Sequence, residues 1–136
     1  WADCTGTVYA KPVRSENMVH SLEHGAVWIA YDPRRIRGAG LNVLAAKVDG
    51  QPYLMLSPYP GLDVPVSIQS WGHQLKVSRP DDLRIDLFIA ALRDNPYTTP
   101  EAGAPCGTNP ARFDVTDPPA FDGSPPGPDA FPVQGP

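Results

Sequence analysis

Eighteen of the 136 residues are proline. Each proline fixes φ near about −65° and removes a backbone donor, so helices and central strands are confined to the stretches between prolines. The densest stretch is 117–136, where seven prolines and three glycines make up half the segment. That composition reads as an extended, polyproline-like tail rather than part of a core. Phe113, Phe121, Phe131 and Val133 are the apolar residues expected to anchor it. The chain therefore divides into a globular domain over 1–107 and a Pro/Gly-rich tail over 108–136.

A chain of this length makes one domain with a real core. The net charge of −4 and pI near 5.2 disfavour a nucleic-acid partner, which selects for a basic face. No apolar run reaches about 18 residues, so no transmembrane segment is expected in this chain. The chain opens on Trp1, with no legible signal peptide. The two cysteines, Cys4 and Cys106, lack the short spacing of a redox pair or zinc ribbon. One disulfide between them is the simple reading, and it implies an oxidising compartment. Two buried free thiols are the alternative.

Helix signals fall at 15–24, with Ser15 as N-cap and Gly25 past the end. The run Ala26–Tyr31 is β-branched and aromatic and reads as a buried strand. Asp32-Pro33 resembles a cap followed by a first-turn proline, opening a helix over 34–48 that Gly38 and Gly40 weaken. Strands follow at 53–57, 64–69 and 73–77, with a bend or bulge at Trp71-Gly72. The best helix spans 80–94, where Ile85, Phe88, Ile89 and Leu92 share one face. The expected fold class is α+β: a small antiparallel or mixed sheet with one main helix, many ordered loops and a single domain.

The segment His20-Ser21-Leu22-Glu23-His24 carries the sharpest chemical signal. On a helix, residues four apart lie on one face, about 6 Å between Cβ atoms, close enough to share an ion. In a strand they would stand about 13 Å apart. Met18 and Met55 are the only methionines. A thioether near the imidazoles makes a soft ligand set that favours copper. A Glu23 carboxylate there favours zinc. The same letters spell H-x-x-E-H, a zinc-hydrolase pattern, but the run turns into a strand at once and no third ligand is evident beyond Glu101. The bland reading is that both histidines pack and hydrogen-bond at a helix end. His73 reads as a strand histidine, and Arg34, Arg35 and Arg37 as a solvated face. No G-x-S-x-G elbow, G-x-G-x-x-G or P-loop is present.

Three segments carry a family resemblance: Val19–Trp28 with its HSLEHG core, Ser57–Leu62 with SPYPG, and Ser70-Trp71-Gly72. With Trp1, Cys4 and Gly103–Cys106 they cover about residues 1–107. The chain resembles an actinobacterial extracytoplasmic family of unknown function, whose members sit behind one N-terminal anchor or signal. The resemblance implies export, secreted or membrane-anchored with the anchor outside this chain, and supports a Cys4–Cys106 bridge. It brings no activity. Members commonly carry a Gly-Pro-His stretch just before the position of Trp1, and a histidine there would be a further candidate ligand.

Two functions follow as expectations. The first is an extracytoplasmic metal-binding domain for metal handling or delivery to a metal-accepting protein. Its cofactor is a copper ion, or alternatively zinc. Its ligands are His20, His24, Met18 and Met55, with Glu23 and Tyr59 in support. The second is a non-enzymatic accessory or interaction subunit of a membrane-associated complex, with structural histidines and a docking tail. Imidazoles converging on one point favour the first. Imidazoles turned to separate hydrogen-bond partners favour the second.

Overall fold

The run Val27–Tyr31 lies at the centre of a five-stranded sheet in the computed structural model, which describes residues 1–125, 127 and 128. In chain order the elements are β1 (Thr5–Val8), α1 (Ser15–Glu23), β2 (Val27–Tyr31), α2 (Ala39–Val48), β3 (Leu54–Pro58), β4 (Val66–Ser70), β5 (His73–Val77) and α3 (Leu83–Leu92). The strand order is β1-β3-β2-β4-β5. β3 pairs in parallel with both β1 and β2, whereas β2–β4 and β4–β5 are antiparallel. The fold is thus α+β with a mixed sheet, as expected. Two further helices accompany α3.

All five residues of β2 and of β3 are buried, because both faces of the sheet are covered. Val27, Ile29, Leu54, Leu56 and Ile68 meet Leu44 and Val48 of α2 and Ile85 and Ile89 of α3. On the opposite face Trp28, Ala30 and Met55 meet Met18 and Leu22 of α1, Tyr9, Val13, Phe113 and the two cysteines. Full burial of each large side chain stabilises by about 1.5–3 kcal/mol. Two stacked cores thus hold the sheet between α2 and α3 on one side and α1 and the C-terminal segment on the other.

Local details correct several expectations. Ser15 is the first residue of α1 and not its cap; Arg14 holds the N-cap position with no side-chain capping bond. The Ser15 hydroxyl lies 3.4 Å from Tyr59 Oη instead. Asp32 opens only a single turn: its carboxylate accepts from the Arg34 N–H at 2.9 Å and pairs with Arg35 at 3.0 Å. The helix proper starts at Ala39, because Gly38 at φ +56° breaks the path from that turn. Trp71-Gly72 is a two-residue hairpin turn and not a bulge, since Ser70 pairs directly with His73. The helix expected over 80–94 narrows to Leu83–Leu92, capped by the Asp82 carboxylate on the Arg84 N–H.

Cys4 and Cys106 form a disulfide, which suggests an oxidising, extracytoplasmic environment. No described helix is long and apolar enough to cross a membrane. Beyond Cys106 the chain turns back along α1. Phe113 is buried edge-on against Tyr9, with ring centroids 6.2 Å apart. Phe121 packs edge-on against Tyr59 at 5.1 Å. The other two expected anchors, Phe131 and Val133, lie outside the described residues.

Candidate functional site around the HSLEHG segment

A nine-residue helix running into a glycine places His20 and His24 one turn apart at the C-terminal end of α1. Their ring centroids are 5.2 Å apart and nearly perpendicular. Trp1 lies against both, 5.5 Å from His20 and 4.9 Å from His24. The two imidazoles differ sharply in exposure: the His20 side chain is 48% exposed and that of His24 only 5%.

Each ring has its own partners. His24 Nδ1 lies 2.7 Å from the Pro105 carbonyl oxygen. A carbonyl only accepts, so Nδ1 carries the proton and donates it. His24 Nε2 faces the Glu101 carboxylate at 3.6 Å, beyond hydrogen-bond length. His20 Nε2 faces Glu23 at 4.0 Å.

The rest of the motif has equally definite tasks. The buried Ser21 hydroxyl donates to the Ala2 carbonyl at 2.6 Å. Leu22 enters the core. The Glu23 carbonyl accepts from the Glu101 N–H at 3.0 Å, and the Gly25 carbonyl accepts from the Asp94 N–H at 2.8 Å. Gly25 has φ +107°, and a Cβ there would press on the Asp94 backbone at 3.0 Å. Only glycine meets both demands without strain. Asp94 in turn accepts from the Gly103 N–H at 2.8 Å. HSLEHG therefore ties the N-terminal segment and residues 94–105 to the end of α1.

Met18 and Met55 are fully buried in the core beneath α1. Met18 lies about 200° around the helix from His20, given about 100° per residue. Tyr59 is half-buried and stacks obliquely on Trp28, with ring centroids 6.1 Å apart. Among the described residues, no group of three or more His, Cys, Asp or Glu side chains is gathered to hold a metal ion. Among the described residues, His73 bonds only locally, its Nδ1–H donating to the Trp71 carbonyl at 2.9 Å.

His20 borders two open depressions. One, of about 560 Å³, is lined by Trp1, Pro105, Asn109, Arg112 and Phe113. The other, of about 860 Å³, runs along α1 past Glu16, Val19, Glu23 and Tyr59, with residues 122–125 as its far wall. Three partners in this arrangement are not legible in the sequence: the Trp1 ring, the Pro105 carbonyl and the wall formed by residues 122–125. All three reach α1 across long sequence separations and carry no local signal.

A family model described as "Protein of unknown function (DUF3105)" matches residues 1–108. No curated protein and no solved structure matches the chain. The match covers both cysteines, the three described helices and the whole HSLEHG segment, and it ends at the start of the tail.

Proposed function

The chain belongs to the family described as protein of unknown function (DUF3105), and from that premise we propose that it is a non-enzymatic, extracytoplasmic interaction domain, an accessory subunit of a membrane-associated complex. One observation carries this reading. His24 is engaged by a hydrogen bond to the Pro105 carbonyl, and the two rings face different carboxylates, Glu101 at 3.6 Å for His24 and Glu23 at 4.0 Å for His20. The motif is then a fastening for the fold, and the open groove along α1 is the surface left for a partner.

A specific feature favours a second reading, metal handling or delivery. The hydrogen bond from His24 Nδ1 to the Pro105 carbonyl orients the ring and leaves Nε2 without a hydrogen bond, 3.6 Å from the Glu101 carboxylate, which is how proteins commonly prepare a metal-ligating histidine. His20 stands close enough to join after a rotamer change, being half-exposed. The donors at this surface are imidazoles and the carboxylates of Glu23 and Glu101, with both thioethers in the core. Such a set takes copper(II) ahead of zinc by the general order of divalent-ion affinity.

Elemental analysis with copper and zinc titration separates the two, using the wild-type chain, His20→Ala, His24→Ala and the double variant. The interaction reading expects no ion retained at stoichiometry and a lowered unfolding midpoint only where His24 is lost. A stoichiometric ion that disappears in the double variant overturns it in favour of metal handling.

A further inference from the structure

The tail contacts change character along their length. Up to Phe113 the chain is pinned, by the disulfide at Cys106 and by burial of the Phe113 ring. From Asp117 to Phe121 it lies on the surface instead. The Asp117 carboxylate pairs with Lys11 Nζ at 2.8 Å, with the two side chains 77% and 57% exposed. The Ala120 carbonyl accepts from Arg14 Nε at 2.7 Å. The Phe121 ring meets Tyr59 edge-on. Pro118 is buried, and Pro118 and Pro119 follow the hollow beside Lys11 and Pro12.

These contacts form a recognition pattern of acidic residue, two prolines, spacer and aromatic. A cation reads the acid, a guanidinium reads a backbone carbonyl, and an aromatic ring reads the aromatic. Prolines hold such a segment extended before it docks, so little ordering entropy is lost on binding. The receiving residues Lys11, Arg14 and Tyr59 all lie within the family match, and the segment they receive lies beyond it. Exposed ion pairs contribute little to holding a segment down, and neither Asp117 nor Phe121 belongs to either core.

We propose that the surface formed by Lys11, Arg14 and Tyr59 is a docking site for an Asp-Pro-Pro-x-aromatic segment, filled here in cis by Asp117–Phe121 and open to a partner segment of the same chemistry when the tail lifts. This rests on the interaction reading above and names the partner chemistry. Lifting the tail also removes the far wall of the α1 groove, so docking and groove width are coupled.

The test uses the full chain and a labelled peptide of residues 115–123. The peptide is titrated into the wild-type chain and into an Asp117→Ala/Phe121→Ala variant, with backbone NMR following whether 117–121 has detached. The expected result is binding to the variant and roughly tenfold or weaker apparent affinity for the wild type, since a cis-occupied surface is competent only in its minor state. Adding Arg14→Ala to the variant, or replacing the phenylalanine of the peptide by alanine, should abolish binding. A variant whose tail is detached yet binds no peptide overturns the proposal. So does a variant whose tail stays docked, since the named anchors would then not be what holds it. Neither result depends on metal content, which alone decides the reading on which this one rests.

Discussion

His24 and His20 look equivalent in the sequence and are not equivalent in the fold. The HSLEH spacing correctly implies two imidazoles one helical turn apart. It says nothing about which is buried, because that depends on Trp1 and on residues 94–105 arriving from elsewhere. Met18 enters the expected ligand set as one of only two thioethers, whereas a helix turns a side chain two residues from His20 to nearly the opposite side, and Met18 lies in the core. Removing the His24 ring leaves a cavity and an unpaired Pro105 carbonyl. His24→Ala should therefore cost about 2–4 kcal/mol of stability. His20→Ala should stay within about 0.5 kcal/mol, as for other exposed positions. Urea denaturation of the two variants checks this; equal costs would mean that the Pro105 bond does not matter.

At the scale of elements, legibility followed locality. β2 and α3 are readable because Ala26–Tyr31 and the Ile85–Leu92 face carry their patterns within a few residues. β1 is not, because Thr5–Val8 is a strand only through its parallel pairing with β3, nearly fifty residues on. The start of α2 depends on the path through Gly38 rather than on apolar spacing. The cap of α3 is local, and its chemistry can be tested. The Arg84 side chain and N–H both bond the Asp82 carboxylate and hold its pKa down to about 2. A folded pKa below the ordinary value near 3.8 means that the contribution is present above that value and is lost as pH falls through about 2. NMR titration should place the Asp82 carboxyl midpoint near 2. Asp82→Ala should speed amide exchange in the first turn of α3. Asp82→Asn, which keeps a capping oxygen, should leave it largely protected.

For the whole molecule, the question is what closes the second core. The first core is roofed by two helices that each follow a strand. The second is roofed by α1 together with the N-terminal segment and residues 101–115. These two segments meet through the Cys4 N–H on the Cys106 carbonyl at 3.1 Å, the Thr108 N–H on the Asp3 carboxylate at 3.2 Å, and the disulfide. The bridge joins residues 102 apart. Closing a loop of that length stabilises by about 4–5 kcal/mol in the chain-entropy model. A domain of this size has only about 5–15 kcal/mol in total. Reduction should therefore bring the protein close to its unfolding threshold. Loss should begin at the second core, since Phe113, residues 101–106 and the edge strand β1 beside Cys4 lose their tether while α2, α3 and strands β2–β5 keep theirs. Hydrogen exchange on a Cys4→Ser/Cys106→Ser variant reads this directly. Protection should fall first in β1, α1 and 101–113 and persist in β2, β4 and α3. Uniform loss across all elements would instead make the two cores one cooperative unit, with the disulfide stabilising the sheet as much as its roof.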